Sequence, residues 1–361
     1  MASPLPRAAA AATAWPTEDL ESVPACPVCE GTSRRPWHDG LTDEVFRTAP
    51  GTWALARCTD CGAAWLDPRP TRGSILRAYA NYYTHTSVDG AGEREGWIRT
   101  ALRQGYLRAR WGYDVRPAWT LGRFTIGKRD AEAIDLSVRH LPRPKARARL
   151  LDVGCGNGAF LVRMRALGWD VHGLEPDPSA AKTAAAAGIE VVVGTLDDAR
   201  WPDRSFDVVT LSSVIEHLHD PHQALDACFR LLAPGGVLHL LTPNVDALGA
   251  VRFGAHWRGL EAPRHLVLFG RASLTRMLTA HGFTDVTFPA RFVAELFWVM
   301  SGALERGITH DEARKLPRRE RHALRRERHA LRREGRDADR RAEREPDRAE
   351  ELIALARKPA K

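Results

Sequence analysis

No apolar run in this 361-residue chain approaches the roughly 20 residues of a membrane-spanning helix. A spanning segment is therefore not expected. The start, MASPLPRAAAAATAWP, has little basic flank and no strongly apolar centre, so it lacks the pattern of a secretory signal. Residues 1–24 read instead as a disordered leader, and the expected location is the cytoplasm. Cysteine is sparse, with six residues, and in that compartment cysteines are metal ligands or core residues more often than disulfides. Excess positive charge is also nearly missing from the body of the chain. The formal net charge is +8, but residues 311–361 hold 18 Lys and Arg against 12 Asp and Glu, which leaves 35 against 33 elsewhere. An enzyme of nucleic acids more often carries its positive charge on the folded surface. Nucleic acid is therefore not the expected partner.

The sequence divides into five parts. After the leader, residues 25–83 form a turn-rich, aromatic module with four of the six cysteines. Residues 84–149 carry helical patterning and many arginines and read as a connecting or lid region. Residues 150–310 alternate short apolar strands with helical stretches, the pattern of βαβ units around a parallel sheet. The strands are ARLLDVG, WDVHGLEPD, IEVVVG, FDVVTLS and GGVLHLLTPN, followed by one antiparallel edge strand, FTDVTFPARF. An apolar helix, VAELFWVMSGALERG, comes next. Residues 311–361 contain the tandem RRERHAL RRERHAL, whose seven-residue period supplies one large apolar residue per repeat, Leu324 and Leu331. A coiled-coil seam needs two. This segment reads as a charged tail, either a solvated helix or mobile.

The cysteines of the first module occur as CPVC (Cys26, Cys29) and CTDC (Cys58, Cys61), 28 residues apart. Each pair can present two thiolates to one tetrahedral Zn²⁺, and paired knuckles at this spacing are those of a zinc ribbon. Four thiolates leave no open coordination position, so the expected role is structural. Cys228 needs no metal to explain it.

LLDVGCGNGAF joins a strand, a glycine turn and a helix start. Gly154, Gly156 and Gly158 let the backbone approach a ligand, and the helix N-terminus beyond favours negative groups. The spacing alone also fits a dinucleotide site. Asp152 helps to decide, because a carboxylate there repels a pyrophosphate and attracts the amino and sulfonium groups of S-adenosylmethionine. Glu175, about 20 residues on, suits a ribose diol in either cofactor.

With LLDVGCGNGAFL, VHGLEPD, FDVVTLSSVIEHLHDP and LLAPGGVLHLLTPN in that order, the sequence resembles the class I S-adenosylmethionine-dependent methyltransferases over roughly residues 148–290. The resemblance implies an α/β fold, a Rossmann-like doubly wound sheet of seven strands, with the cofactor across the carboxyl ends of the first strands. It places Asp152, Gly154 and Gly156 around the methionine moiety and Glu175 on the ribose. Leu196 falls at the adenine-side position, followed by Asp197 and Asp198, and Cys155 and Ser212 complete the expected cofactor contacts. The order of ribbon, YANYYTH segment and methyltransferase core is similar to that of bacterial enzymes of deoxysugar, surface-glycan and natural-product pathways. That similarity implies a substrate role for Tyr82 and Tyr83. The further C-terminal α/β domain of the sugar enzymes has no counterpart in the charged tail.

Glu216 and His217 follow the fourth strand, at the rim where open α/β sheets bind ligands. Histidine titrates near pH 6.5 and suits proton abstraction, with Glu216 orienting it or pairing with its charged form. As plain structure, the pair is an acid and a histidine at a helix start. A metal reading also exists. Quinone-pathway and small-RNA methyltransferases that resemble this region place a further Glu three residues before the pair, where this chain has Ser213; His219 and His265 can compensate. The loop after strand five, FGAHWRGLEAPRHLVLF, adds Arg258 and Arg264 as candidate substrate ligands for phosphate or carboxylate, and His265 as an alternative base.

The expectation is thus a methyltransferase with S-adenosylmethionine and a structural Zn²⁺, acting on a small-molecule or glycan-precursor substrate with histidine-assisted deprotonation. The rivals are an RNA methyltransferase that grips with ribbon and tail, and a non-catalytic cofactor-binding subunit.

Overall fold

The structure, a computed structural model, describes residues 14–80, 96–307 and 315–360. Tyr82 and Tyr83 lie outside the described residues.

The first strands build a small antiparallel module. β1 (Leu20–Glu21) pairs with β5 (Arg69–Pro70), while β2 (Arg34–Leu41), β3 (Trp53–Cys58) and β4 (Ala64–Leu66) form a meander. The end of the expected leader is not disordered. Trp15 is buried against Trp53, ring centroids 5.6 Å apart, and Leu20 pairs with Pro70. Trp15, Leu20 and Val23 pack on the ribbon core, and the amide of Val23 donates to Asp67 at 2.8 Å.

Helices α1 (Trp97–Trp111), α2 (Gly122–Thr125) and α3 (Lys128–Ser137) lead into the large sheet. Its strands are β6 (Arg149–Val153), β7 (Asp170–Glu175), β8 (Glu190–Val193), β9 (Phe206–Ser212), β10 (Leu232–Pro243), β12 (Thr284–Thr287) and β13 (Glu351–Arg357), in the spatial order β12-β13-β10-β9-β6-β7-β8. β6 to β10 are mutually parallel, and β13 runs antiparallel to both β10 and β12. The central strands are near-continuous apolar runs because helices cover both faces.

Those helices are α4 (Ala159–Ala166), α5 (Pro178–Ala186), α6 (Pro221–Leu231), α7 (Leu248–Phe253) and α8 (Arg271–Ala280). Two start by the same local rule. Asp177 accepts from the amides of Ser179 and Ala180, and Asp220 from that of Gln223, each followed by a proline at the first helical position. A two-residue strand, β11 (Val267–Leu268), leaves the loop after β10 and pairs with β4, so the loop itself completes the sheet of the ribbon.

The C-terminal part corrects the expectation of a tail. Residues 288–350 form an excursion between the last two strands of the sheet, built on α9 (Ala294–Glu305) and α10 (Arg318–Ala342). The tandem repeat is helical, as one expected alternative has it. Its second half packs on α9, burying Leu331, Ala338 and Ala342. The chain then returns as β13, paired over seven residues with β10. ELIALAR is strand-forming and apolar, but its position after a long charged run hid it among tail residues. Glu350 anchors the return, accepting from the indoles of Trp257 and Trp298 at 2.8 and 2.9 Å and from the amide of Gly249 at 2.8 Å.

Ribbon and sheet are not separate bodies of apolar packing. One core runs from Trp15, Trp53 and Trp65 of the ribbon through Trp257 and Leu266 of the loop to Leu211 and Leu240 of the sheet. A second core, around Tyr113, Trp169 and Leu150, seats the connecting helices on the sheet.

Candidate functional site

The four ribbon thiols converge. Sγ of Cys26 lies 3.6 Å from Cys61, and Sγ of Cys29 lies 3.5 Å from Cys58. These separations are too long for disulfides and close to the ~3.8 Å edge of a tetrahedron with ~2.3 Å Zn–S bonds. The knuckle backbones hold them there: the amide of Glu30 donates to the Cys26 carbonyl at 2.9 Å, and that of Gly62 to the Cys58 carbonyl at 3.2 Å. Without a cation, burial and crowding by neighbouring thiols push Cys29 up to about 11. The donor set fits a structural zinc.

At the carboxyl ends of β6 and β7 the glycine loop takes left-handed turns, with φ of 68° at Gly154 and 55° at Gly156. A Cβ on Gly154 would strike Val214 Cγ2 at 2.6 Å, whereas one on Gly156 would meet only open space. The loop is thus clamped on one side and open on the side where a ligand would lie. Glu175 is buried and braces it, accepting from the amides of Gly156 at 2.8 Å and Asp177 at 3.0 Å. Burial raises its pKa. Leu196 sits part-buried in the short turn after β8, and Ser212 ends β9. The Cys155 side chain points away from the open side and packs under the loop, where a Cβ on Gly173 would meet its sulfur at 2.7 Å.

Asp152 is not a lone carboxylate. It is buried in a salt bridge with Arg139 and accepts from Thr210 Oγ1 at 2.8 Å. Arg139, in a left-handed conformation (φ 49°), also lies 3.6 Å over the Phe160 ring. The pair can meet a zwitterion, the cation facing a carboxylate and the acid an ammonium group. Nothing in the local pattern marks Arg139 among its many neighbouring arginines.

Beyond β9, Glu216, His217 and His265 present one ligand atom each within 4.8 Å of one another. His217 Nδ1 lies 3.0 Å from the carbonyl of Arg264, and His265 Nδ1 lies 2.8 Å from that of Gly259. A carbonyl oxygen only accepts, so these contacts form with the tautomer that carries its hydrogen on Nδ1 and leaves Nε2 its lone pair. Burial lowers both histidines, His265 to about 3, so both are neutral at pH 7. The rings meet at 4.8 Å between centroids, and the Tyr79 hydroxyl sits 3.0 Å from His217 Nδ1. Tyr79, the first tyrosine of YANYYTH, thus reaches the histidine.

Glu216 departs from its expected role. It is fully buried with the Thr242 hydroxyl beside it, but neither carboxylate oxygen makes a hydrogen bond of regular geometry among the described residues, to His217 or to Thr242. Burial raises its pKa to about 8. One carboxyl and two imidazoles form a donor set that can hold a divalent cation, with Glu216 supplying the missing counter-charge. His219 is turned elsewhere, its Nε2 lying 2.9 Å from the Pro70 carbonyl.

The two loop arginines separate. Arg264 is fully buried and held by Asp43, the Ala78 carbonyl at 2.8 Å and Glu261 at 3.3 Å, with its guanidinium 4.3 Å over Phe46. It rivets the loop to the ribbon, and its complete burial keeps it out of reach of a substrate. Arg258 pairs with Glu261 and lines a cavity of about 550 Å³ between the ribbon turn (Thr42 to Val45, Arg47) and α9 (Met300, Leu304). That volume suits a small molecule. Glu261 stands between Arg258 and His265, whose Nε2 is 3.9 Å from Glu261 Oε2.

Residues 126–287 match the family model described as a methyltransferase domain. The chain carries a class I S-adenosylmethionine-dependent methyltransferase domain. A ubiquinone biosynthesis O-methyltransferase of Xanthomonas oryzae pv. oryzae is 32% identical over 169 residues, 44% of this chain and 64% of that protein. One of Psychrobacter cryohalolentis is 38% identical over 108 residues, 27% and 41% of the two chains. The methyltransferase domain therefore aligns with less than two thirds of the length of these curated relatives. Among solved structures, an S-adenosylmethionine-dependent methyltransferase from Archaeoglobus fulgidus is similar at 19% identity and a TM-score of 0.41, over 66% of this chain and 98% of that one. The cofactor of such a domain is S-adenosylmethionine, and the glycine loop with Glu175 is where this chain would hold it.

Proposed function

We propose that this protein transfers a methyl group from S-adenosylmethionine to a nucleophilic atom of a small-molecule acceptor, with the histidine pair as proton acceptor. The observation that carries this reading is the pair of backbone carbonyls at Nδ1 of His217 and His265, which favour the tautomer with the hydrogen on Nδ1. In that form both are neutral and offer Nε2 as a proton acceptor beside the rim of the cofactor site. His217 keeps part of its surface open, whereas His265 is buried, so His217 is the group that meets the acceptor and His265 supports it. Tyr79 and the Arg264 carbonyl fix the ring. A base of this kind contributes roughly 10²–10⁴-fold, and the remainder comes from holding donor and acceptor in line.

The match to ubiquinone O-methyltransferases supports an oxygen acceptor, and the ribbon in front of the core supports a sugar or natural-product precursor. A second reading has its own observation, the unpartnered carboxyl of Glu216 next to the two imidazoles. A divalent cation held there would lower the pKa of an acceptor hydroxyl.

S-adenosylhomocysteine release across an acceptor panel tests the proposal. The panel contains nucleotide-activated keto- and amino-sugars, phenolic and polyketide scaffolds, and tRNA. Turnover on a sugar or a scaffold, with or without added Mg²⁺ or Mn²⁺, is the expected result. Turnover on tRNA alone, or tight cofactor binding with no turnover on any class, would sink it.

A further inference from the structure

The segment from Trp97 to Lys128 is not absorbed by the methyltransferase site. α1 and α2 form a projecting hairpin whose backbones touch: a Cβ on Gly105 would lie 1.7 Å from the Trp119 carbonyl oxygen, and one on Gly122 would lie 1.9 Å from that of Leu102. The hairpin is therefore stiff, and what it presents at its end is fixed. That end is apolar and, among the described residues, uncovered. Phe124 is 77% exposed, Trp97 64%, Leu121 56% and Ile98 51%, and Trp97 meets Trp119 edge-on at 5.1 Å. Large apolar side chains grouped this way on a surface mark a site of interaction.

Its charge says with what. Residues 97–128 contain seven Arg and Lys against a single acid, Asp114, although Arg108 pairs with that acid, Arg99 with Asp130 and Lys128 with Glu343. Arg123 lies 5.5 Å over the ring of the most exposed residue, Phe124. The positive field continues onto α10, which carries 11 arginines against five acids and is tied to α3 by Lys128–Glu343 and Arg129–Asp339. Two copies of this face would repel each other, which disfavours a symmetric dimer through it. A nucleic acid would match the charge but gives an exposed Leu, Ile and Phe nothing apolar to enter. Tryptophan, phenylalanine and aliphatic tips set among arginines suit one environment, the boundary between lipid headgroups and acyl chains.

We propose that the α1–α2 hairpin docks this protein on a bilayer surface containing anionic lipid, with Leu121, Phe124, Trp97 and Ile98 entering the interface and the arginines pairing with headgroup phosphates. Attachment is peripheral, since no described helix is long and apolar enough to cross a membrane.

The test is co-sedimentation of the full chain with vesicles of phosphatidylcholine alone and of phosphatidylcholine mixed with phosphatidylglycerol. Binding to the anionic vesicles only, weakened by salt, is expected. The double variant Leu121→Ser/Phe124→Ser should lose at least about tenfold in partitioning while retaining the wild-type circular dichroism and cofactor affinity. No partitioning into anionic vesicles would overturn the proposal, as would equal partitioning of the double variant. A monomer–dimer equilibrium abolished by the same substitutions, or RNA binding without vesicle binding, would assign the face to another partner.

Discussion

Two clusters of ligand-type side chains lie in one continuous core, and they are built in opposite ways. The ribbon cluster is closed: four sulfurs face one another, each held by its knuckle backbone. The rim cluster is open: among the described residues its carboxyl has no hydrogen-bond partner, and its imidazoles face carbonyls that favour tautomers with Nε2 unprotonated. A saturated donor set holds a fold together. An unsatisfied one is costly to keep buried, and such sites persist where chemistry uses them. The same loop serves both clusters, since Arg264 and β11 fasten it to the ribbon while its His265 completes the rim.

Breaking the closed cluster should have the largest effect. Cys58→Ser is expected to abolish stoichiometric zinc and to lower stability by several kcal/mol. The loop loses its support with it, so activity falls too. Metal analysis alongside thermal denaturation checks this, and a variant as stable as wild type without zinc would contradict a structural role. Cutting the link between the clusters comes next. Arg264→Ala leaves Asp43 buried without its cation and Glu261 with Arg258 alone, at a cost of about 3–5 kcal/mol. Arg264→Met should cost less than Arg264→Ala, because its packing survives. Equal stability of wild type and Arg264→Ala would show that the rivet is dispensable.

The open cluster gives a smaller, pH-dependent effect. The Glu216 pKa is raised from 4.5 to about 8, so its contribution to stability is full below pH 4.5 and falls as pH rises toward about 8. Glu216→Gln should remove that slope, gaining on wild type as pH rises through this window. If Glu216 takes a cation, Mn²⁺ should raise the melting temperature of wild type and leave that of Glu216→Gln unchanged. Parallel stability–pH curves for the two proteins would contradict the buried, unpartnered carboxyl.

Local signals carried most of this organisation. The cysteine spacing, the glycine loop and the Asp-Pro helix starts are short-range patterns, and the structure places each where its chemistry needs it. What the sequence hid was long-range. β13 is separated from the edge strand it pairs with by more than 60 residues of excursion, and its seven residues look like the end of a charged tail. Arg258 and Arg264 are indistinguishable in a polar loop, and only the approach of Asp43 from the ribbon assigns one to structure. Tyr79 and Arg139 reach their partners across 138 and 13 residues, respectively, with no motif to announce either contact.

The central claim is that the open cluster takes the acceptor's proton. It is tested most directly by single-turnover methyl transfer in His217→Ala and in His265→Ala, with cofactor affinity measured by calorimetry on the same samples. The account predicts that His217→Ala binds S-adenosylmethionine within about twofold of wild type and transfers its methyl group roughly 10²–10⁴-fold more slowly. His265→Ala should lie between the two. Wild-type transfer rates in both variants would contradict it, and would leave the histidines as supports of the loop.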